Sequence, residues 1–362
     1  MTENNRAAPD PARTPDGEAY EVVVIGGGAA GLSAALVLGR ARRRTLVVDA
    51  GEPRNAPAAH MQGYLTRDGM SPADFLAAGR EEIARYGVEL VRDRATTATR
   101  ATAPGPDHGT GTQPAEGFTV TLAGGSTVRA RHLVVATGLR DELPPVPGVA
   151  ERFGRDVLHC PYCHGWEVRD QAFGVLATSP LSVHQALMVT QWSKDVTLFL
   201  HQVAEAELSD DDLRRLAAAD VRVVPGEVAG LEVGDDHLTG VRLADGSTHA
   251  REALFVAPRA VPATDLLSEL GAEMTETPFG TYPVVDPRGL TSVPGLWAAG
   301  NASGFAEQVI NAASRGYRAG ATINGELLMA DLDARVARVA GVAPVSGAAR
   351  DSVPPADASV RG

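Results

Sequence analysis

A glycine-rich turn near the start of the chain constrains its fold more than any other feature. Gly26, Gly28 and Gly31 form the pattern G-x-G-x-x-G directly after a short β-branched segment, Glu21 to Ile25. A helix-like segment, Ala29 to Arg40, follows. Glycines in such a turn let the backbone approach a pyrophosphate, which then lies at the positive end of the helix. The pattern therefore predicts a βαβ unit that binds a dinucleotide.

A carboxylate stands where this unit needs one. Asp49 ends the next strand-like segment, Thr45 to Asp49, about where the motif expects a side chain for ribose hydroxyls. Aspartate also caps strand ends, so a purely capping role for Asp49 stays open. The three glycines, Ala30 between the last two of them, and Asp49 together predict the nucleotide site. The motif alone does not separate FAD from NAD.

The order of segments predicts the fold class and the domain organisation. Strand-like and helix-like segments alternate, which is typical of α/β folds with doubly wound parallel sheets. A length of 362 residues suits two domains, and the Pro-rich segment Leu143 to Gly148 is a predicted boundary. The polar ends, residues 1–18 and 331–362, predict flexible tails. The Gly-, Pro- and Thr-rich stretch 103–117 predicts an exposed insertion in a hairpin loop.

Composition argues against several kinds of partner. A net charge of −12 provides no basic field for nucleic acid or for an anionic membrane surface. No apolar run approaches the ~20 residues that span a bilayer. The N-terminal segment lacks the apolar core of a signal peptide. We therefore expect a cytoplasmic protein without nucleic-acid or membrane partners, where a thiol pair is catalytic or metal-binding more often than structural.

Only two cysteines occur in the chain, and they lie in the sequence His159-Cys160-Pro-Tyr-Cys163-His164. A disulfide at this spacing closes too short a loop to stabilise a large domain, so the spacing predicts a redox pair. Cys160 to His164 also matches a c-type haem attachment signature, which would require export. A zinc site is a further alternative by residue type, although no second cysteine pair exists to complete it.

Three further segments, together with the glycine turn, resemble those of a known family. They follow strand or helix patterns and are, in chain order, Ala136-Thr137-Gly138, Gly300-Asn301 and Gln308-Val309. From about Tyr20 to Leu328 the chain resembles the thioredoxin-reductase-like, FAD-dependent pyridine nucleotide-disulfide oxidoreductases. The resemblance implies that FAD is the cofactor and that these segments bind it. Asn301 stands where the family usually has Asp, and its amide can still hydrogen-bond a ribityl hydroxyl.

The resemblance also implies an architecture of two Rossmann-like domains. The FAD-binding domain is expected to be discontinuous, formed by residues 19–146 and 263–330. A central domain, residues 147–262, is inserted between its halves and carries the C-x-x-C. A homodimer is implied by the resemblance alone.

Roles for the thiols follow from the resemblance as well. Cys163 is expected to meet the flavin and Cys160 to exchange with substrate, and the start of a helix at the pair would favour a thiolate. His164 follows Cys163 where the thioredoxin reductases carry an acidic residue. We expect His164 to move protons for the thiols, with a packing role as the alternative.

Aromatic residues near the motif are weaker candidates. Tyr162 and Trp166 are expected to be core residues, with walls of a substrate pocket as the alternative. His60 and Tyr64 lie in a segment that approaches the flavin in relatives, and they are minor candidates for lining the site.

The second nucleotide site that a thioredoxin reductase needs is degenerate in this sequence. Ser179 and Pro180 stand between a strand and a helix where glycines would be expected. The segment Leu198 to Glu205 offers no arginine for the 2′-phosphate of NADPH. Arg259 is the residue that a divergent but working site would use.

Without NADPH, electrons would run from a substrate to the enzyme. The segment Cys160 to Glu167 resembles the dithiol oxidases that close disulfides in gliotoxin- and holomycin-type natural products. The sequence therefore predicts an FAD-dependent oxidase of a small-molecule dithiol, with O2 as acceptor and H2O2 as product. The alternatives are an NADPH-dependent, thioredoxin-reductase-like disulfide reductase and a flavin-bound redox sensor without turnover.

Overall fold

Two mainly parallel sheets form the framework of the chain, whose computed structural model describes residues 16–102 and 116–340. The strands, in chain order, are β1 (Glu18–Ile25), β2 (Thr45–Val48), β3 (Glu89–Val91), β4 (Ala95–Thr102), β5 (Glu116–Leu122), β6 (Thr127–Val135), β7 (Leu139–Glu142), β8 (Val157–Leu158), β9 (Phe173–Leu176), β10 (Val196–Phe199), β11 (Arg222–Val224), β12 (Val228–Gly234), β13 (His237–Leu243), β14 (Thr248–Ala250), β15 (Ala253–Val256), β16 (Arg259–Pro262), β17 (Met274–Thr277), β18 (Gly280–Pro283) and β19 (Leu296–Ala298).

Eight α-helices accompany these strands in the described ranges. They are α1 (Ala29–Arg40), α2 (Pro72–Ala84), α3 (Val149–Arg152), α4 (Pro161–His164), α5 (Ser182–Val189), α6 (Asp210–Ala218), α7 (Leu266–Glu269) and α8 (Val309–Ala340). Single 3₁₀ turns occur at Glu205–Glu207 and Gly300–Ser303. None of these described helices is both long and apolar enough to span a bilayer.

The larger sheet has the strand order β3-β2-β1-β6-β5-β4, with β19 beside β6. β1 pairs in parallel with both β2 and β6, and Val22, Val23 and Val24 within it are fully buried. A strand covered on both faces needs a continuous apolar run rather than alternation. Because β19 comes from a distant part of the chain, this sheet is built from two separate portions of sequence.

A second sheet, β11-β10-β9-β15-β8, is parallel throughout. The antiparallel strands β12-β13-β14 pack beside it and share its hydrophobic core. β7 pairs antiparallel with β16, so a two-stranded ribbon joins the two sheets. The predicted α/β fold class, with two doubly wound units and a discontinuous first unit, is confirmed.

α8 lies directly against α1, the helix that follows the glycine-rich turn. A Cβ placed on Gly316 of α8 would stand 1.9 Å from the carbonyl oxygen of Ala30 in α1. Only glycine permits backbones to approach this closely. The start of α8 is therefore fixed relative to the nucleotide-binding turn.

The prediction of a flexible tail from residue 331 is wrong for residues 331–340, which continue α8. This segment is rich in good helix formers but largely exposed, so it shows no apolar stripe that the sequence could reveal. Asp331 also pairs with Arg43 and Arg131, at 2.8 Å in each case. Residues 341–362 lie outside the described residues.

The other predicted termini and loops differ slightly from the structure. β1 begins at Glu18, and Asp16 accepts a hydrogen bond from the Thr127 amide at 2.9 Å, so the predicted N-terminal tail is wrong for residues 16–18. Residues 1–15 lie outside the described residues. β4 and β5 form the predicted hairpin, and β5 includes residues 116–117 of the expected insertion. Residues 103–115 are likewise outside the described residues.

Candidate active site

A cavity of about 2310 Å³ opens between the two sheets. Cavities that hold drug-sized ligands occupy ~300–1,000 Å³, so this one has room for a dinucleotide and a further molecule. All predicted site residues except Gly31 line it; they are Gly26, Gly28, Ala30, Asp49, Ala136, Thr137, Gly138, Cys160, Cys163, His164, Gly300, Asn301, Gln308 and Val309. The fold thus gathers segments that are distant in sequence into one site.

The glycine-rich turn has the geometry of a pyrophosphate site. Gly26 has a φ of +107°, and a Cβ there would lie 2.4 Å from the carbonyl oxygen of Ala136. Gly28 caps α1 without any side-chain hydrogen bond, and a Cβ there would meet nothing within 4 Å. The first N–H groups of α1 and the open space over Gly28 therefore suit an anionic ligand. Gly31 instead packs against the oxygen of Gly26.

Asp49 organises this turn through its carboxylate. Its Oδ1 accepts hydrogen bonds from the Gly27 amide at 3.2 Å and the Gly51 amide at 3.1 Å. Its Oδ2 pairs with Arg92 at 2.5 Å. These contacts support the capping role, and a carboxylate that offers about four lone pairs retains capacity for a ribose hydroxyl. Sequence reasoning missed Arg92. It follows β3, the strand beside β2, so its position at the end of a neighbouring strand is the signal that could have identified it.

The later predicted segments approach the same cavity. Ala136, Thr137 and Gly138 follow the end of β6, while Gly300 and Asn301 follow β19 beside it. The amide nitrogen of Asn301 donates to the carbonyl oxygens of Gly304 and Phe305, at 3.1 and 3.0 Å. The amide oxygen is therefore the atom that Asn301 can offer to a cofactor hydroxyl.

These features fit FAD. An uncapped helix start, a glycine over open space and polar side chains at adjacent strand ends are what a dinucleotide with a ribityl chain requires. Asp49, Asn301 and the amides at Gly28 to Ala30 would hold it. FAD supplies a two-electron acceptor beside the thiol pair.

The cysteine pair lies at the start of α4 and reaches the same cavity. Cys160 is the residue before the helix, and its carbonyl oxygen accepts from the amides of Cys163 and His164 at 3.1 and 3.2 Å. Both side chains are half-buried free thiols. The amide oxygen of Gln308 lies 3.2 Å from the sulfur of Cys163, and the amide nitrogen lies 3.5 Å from that of Cys160.

The two thiols differ in acidity. Hydrogen bonding with Cys163 lowers the pKa of Cys160 to about 7, and Gln308 adds to this effect against the opposing effect of burial. The same pairing, together with burial, raises the pKa of Cys163. Because a thiolate is the form that exchanges with disulfides, Cys160 is the more reactive thiol of the reduced pair.

Two neutral imidazoles flank the pair. Burial lowers the pKa of His164, and the nearby Glu167 opposes this only in part. Burial also lowers the pKa of His159, whose carbonyl oxygen accepts from the side chain of Gln185 at 2.7 Å. A neutral imidazole can accept a proton, so His164 is suited to act as a base at neutral pH.

The expectation that Tyr162 and Trp166 are core residues is wrong. Their exposed fractions are 69% and 64%; Tyr162 lies in the single turn of α4, and Trp166 lies in the turn that follows it. Tyr162 lines the cavity and packs edge-on against Trp192, with centroids 5.8 Å apart. Trp166 instead contacts the guanidinium of Arg169. Tyr162 is thus an aromatic residue that a molecule in the cavity can contact close to the thiols in sequence.

The minor candidates separate in the same way. His60 lines the cavity, whereas Tyr64 packs against Phe75, with ring centroids 5.6 Å apart. In the described part of the chain, no three His, Cys, Asp or Glu side chains converge as a metal site would require. The zinc alternative gains no support from this arrangement.

The degenerate nucleotide turn between β9 and α5 is closed by its own backbone. The amides of Ser182, Val183 and His184 donate to the carbonyl oxygens three residues earlier, at 3.0, 3.2 and 3.1 Å. The hydroxyl of Ser182 accepts from the Thr178 amide at 3.1 Å. These are the N–H groups that a pyrophosphate would otherwise bind. Arg259, the candidate for a divergent site, pairs with Glu142 on the ribbon that joins the sheets.

A bidentate ion pair at the cavity was missed by sequence reasoning. Arg54 follows β2, and its guanidinium contacts Asp141 on β7 at 2.9 and 2.6 Å. The pair connects the larger sheet to the ribbon that leads to the second sheet. No local motif indicates such a contact, because the residues are 87 positions apart.

Comparisons with known proteins identify the family of the chain. The family model described as pyridine nucleotide-disulphide oxidoreductase matches residues 20–316. The chain is 34% identical over 329 residues to thioredoxin reductase sirT of Leptosphaeria maculans, covering 87% of this chain and 97% of that protein.

Solved structures agree as well. HlmI is 49% identical with a TM-score of 0.82, covering 89% of this chain and 97% of HlmI. An oxidoreductase from Agrobacterium tumefaciens is 37% identical with a TM-score of 0.77, covering 86% of this chain and 99% of that one. The chain therefore belongs to the pyridine nucleotide-disulphide oxidoreductase family and is an FAD-dependent thiol/disulfide oxidoreductase.

Proposed function

We propose that this enzyme oxidises a small-molecule dithiol to its disulfide, with electrons passing to FAD and then to O2, which gives H2O2. The observation that carries the proposal is the closed turn before α5. Its amides at Ser182, Val183 and His184 are already hydrogen-bonded to the preceding turn. An enzyme that cannot readily bind a nicotinamide cofactor there must obtain its electrons from the thiol substrate.

The chain's own residues can perform this exchange. A substrate thiolate attacks the Cys160 sulfur of the Cys160–Cys163 disulfide, forming a mixed disulfide and releasing Cys163 as the thiolate. The second substrate thiolate attacks the substrate sulfur bound to Cys160, which closes the product disulfide and expels Cys160. The enzyme dithiol then holds two electrons. His164, neutral and half-buried beside the pair, supports a role as acceptor of one of the two substrate protons, and the released Cys163 thiolate takes up the other.

The acceptor side of the reaction is assigned to FAD. When bound, FAD would supply the two-electron acceptor for the enzyme dithiol and the route from there to O2. The residues proposed to hold it are those of the glycine turn, Asp49, and the segments ending β6 and β19. Gln308 and Val309, at the start of α8, are proposed to face its ring.

The substrate side suits a small, weakly charged molecule. Tyr162 exposes a large part of its ring next to Cys160, and the flanking histidines are kept neutral by burial. The resemblance to gliotoxin- and holomycin-type dithiol oxidases supports a natural-product dithiol and a role in antibiotic biosynthesis. We further propose a cytoplasmic enzyme whose FAD domain comprises residues 19–146 and 263–330 around a central domain of residues 147–262.

A homodimer is also proposed. α8 exposes several large apolar side chains, among them Tyr317, Leu328 and Met329. Exposed apolar residues along one helix are typical of a surface covered by a partner. Sedimentation of the purified holoenzyme at twice the monomer mass would support the dimer, and a monomer at micromolar concentration would contradict it.

The second candidate is an NADPH-dependent disulfide reductase, which the similarity to thioredoxin reductase sirT favours. Anaerobic mixing separates the two functions. For the oxidase we expect a small dithiol to bleach the flavin rapidly and NADPH to bleach it slowly or not at all. Oxygen consumption with the dithiol should then be sustained and yield one H2O2 per disulfide formed. Rapid bleaching by NADPH without bleaching by dithiols would reject the proposal.

A further inference from the structure

The side chain of Gln308 bridges the two active-site sulfurs. Its amide oxygen lies 3.2 Å from the Cys163 sulfur, which donates to it, and its amide nitrogen donates to the Cys160 sulfur at 3.5 Å. Gln308 hydrogen-bonds both cysteine sulfurs, in addition to the hydrogen bond between the two thiols themselves. The two contacts are chemically opposite, since the amide oxygen accepts a hydrogen bond and the amide N–H donates one.

The backbone of Gln308 is held firmly from the side of the larger sheet. Its carbonyl oxygen accepts from the Ala312 amide at 2.8 Å, which starts α8. The preceding Glu307 is half-buried and pairs with Arg315, nearly two turns into the helix, at 2.6 Å. Because α8 packs on α1 with direct backbone contact at Gly316, Gln308 approaches the thiols from a fixed position rather than from a mobile loop.

We propose that Gln308 is a positioning residue that gives the two thiols unequal roles. Its oxygen accepts the hydrogen bond of the Cys163 thiol, and its N–H donor stabilises Cys160 as the thiolate. An amide suits both tasks at once, because it presents an acceptor and a donor at one planar group. No other neutral side chain of this length does so.

The consequence for catalysis rests on the proposed direction of electron flow. Cys160 is the leaving group when the second substrate thiolate closes the product disulfide, and a thiol of lower pKa leaves faster. The bond that breaks is the mixed disulfide at Cys160, and the bond that forms joins the two substrate sulfurs. The electron pair remains on Cys160, which the amide N–H of Gln308 stabilises.

Alkylation of the reduced holoenzyme tests the assignment without substrate or oxygen. Anaerobic iodoacetamide pulses between about pH 5 and about pH 9, followed by peptide mass spectrometry, give the rate at each cysteine. In the wild type, Cys160 should be modified first, with a midpoint near its pKa of about 7. In Gln308→Leu, the Cys160 rate at neutral pH should fall about tenfold, as one unit of pKa implies.

Matched variants separate the hydrogen bonds from the size of the side chain. Gln308→Glu keeps the length and the acceptor but lacks the donor, so it should slow Cys160 at least as much as Leu does. It also carries the test if the Leu variant does not fold. Gln62→Leu removes an amide that spans the same cleft to Glu167 at 3.2 Å without touching a sulfur, and it should alkylate like the wild type.

Two results would overturn the assignment. One is modification of Cys163 before Cys160 in the wild type, which would mean that the amide is turned the other way. The other is a wild-type Cys160 rate in either Gln308 variant. Because no dithiol substrate takes part, a failure here leaves the proposed oxidase activity standing, and a failure of that activity leaves the thiol assignment standing.

Discussion

The amide oxygen of Gln308 lies 3.2 Å from the sulfur of Cys163, although 145 positions separate the two residues. One belongs to the start of α8, against the larger sheet, and the other to a single helical turn of the second sheet's unit. The contact brings the redox motif to the cavity that also contains the glycine-rich turn. The thiol pair and the glycine-rich turn therefore line one cavity.

Cys163→Ser should abolish electron entry into FAD. Without a second sulfur the enzyme cannot form its disulfide, so an anaerobic dithiol should leave the flavin spectrum oxidised. Stopped-flow absorbance at the flavin band measures this directly. If the variant reduced its flavin at the wild-type rate, a disulfide relay through Cys163 would be excluded.

Cys160→Ser is the matched control for that variant. Both should lack turnover, but only Cys163→Ser keeps the more acidic thiol of the pair. Incubation with an oxidised small-molecule disulfide should therefore give a stable mixed disulfide at Cys160 in Cys163→Ser, and a much slower reaction in Cys160→Ser. Intact-protein mass spectrometry distinguishes these outcomes.

His164→Ala should slow flavin reduction by the dithiol about 10²-fold, the usual loss when a general base is removed. Burial lowers the pKa of His164, so the imidazole is neutral at neutral pH and becomes charged only below the usual histidine value of ~6.5. The wild-type rate should therefore fall on the acid side of that value, and this limb should vanish in the variant.

His237→Ala, an exposed change on β13, should leave the rate and its pH profile unchanged. An unchanged acid limb in His164→Ala would assign the proton transfer elsewhere.

Gly28→Ala and Gly31→Ala should separate cofactor binding from folding. The new methyl group meets no protein atom within 4 Å at Gly28 but lies 1.9 Å from the oxygen of Gly26 at Gly31. We expect Gly28→Ala to fold normally and to bind FAD at least about tenfold more weakly, since the methyl occupies the approach of the pyrophosphate. Gly31→Ala should lose stability even without FAD. Flavin fluorescence titration and urea unfolding of the apoprotein give the two quantities, and wild-type FAD affinity in Gly28→Ala would contradict the site.

Local sequence patterns predicted those features that depend on neighbours in the chain. The β-branched run before Gly26 was interpreted correctly as a strand, and the spacing of the cysteines within a few residues is what predicts a redox pair. The contacts of Gln308 with the thiols and of Arg54 with Asp141 depend on the packing of distant elements, which no pattern encodes. The prediction for residues 331–340 failed for another reason, because an exposed helix shows no apolar periodicity in its sequence.

Arg54→Gln should destabilise the holoenzyme by about 2 kcal/mol, because it leaves the largely buried carboxylate of Asp141 without its charged partner. Arg94→Gln is a matched control, since its pair with Glu52 is exposed and should contribute at most ~1 kcal/mol. Urea unfolding with FAD in excess measures both. A double variant of Arg54 and Asp141 that is no less stable than Arg54→Gln would agree with the pairing, whereas fully additive losses would not.

Asp331→Asn should loosen the end of α8 in a pH-dependent way. Burial tends to raise the pKa of Asp331, but hydrogen bonds from Arg43 and Arg131 outweigh it and hold the pKa below its usual range. A carboxyl with a depressed folded-state pKa stabilises the fold above its unfolded value of ~3.9, and this stabilisation is lost as the pH falls through the folded value.

The side chain of Asp331 is partly exposed, so we expect the variant to lose at most ~1 kcal/mol of stability at neutral pH, shrinking towards zero in acid. Hydrogen exchange of the α8 amides measures it. Arg338→Gln, whose side chain donates to the Ala334 carbonyl at 3.2 Å, should show no such pH dependence. Equal exchange in Asp331→Asn and the wild type at neutral pH would mean that the two arginines do not hold this end of the helix.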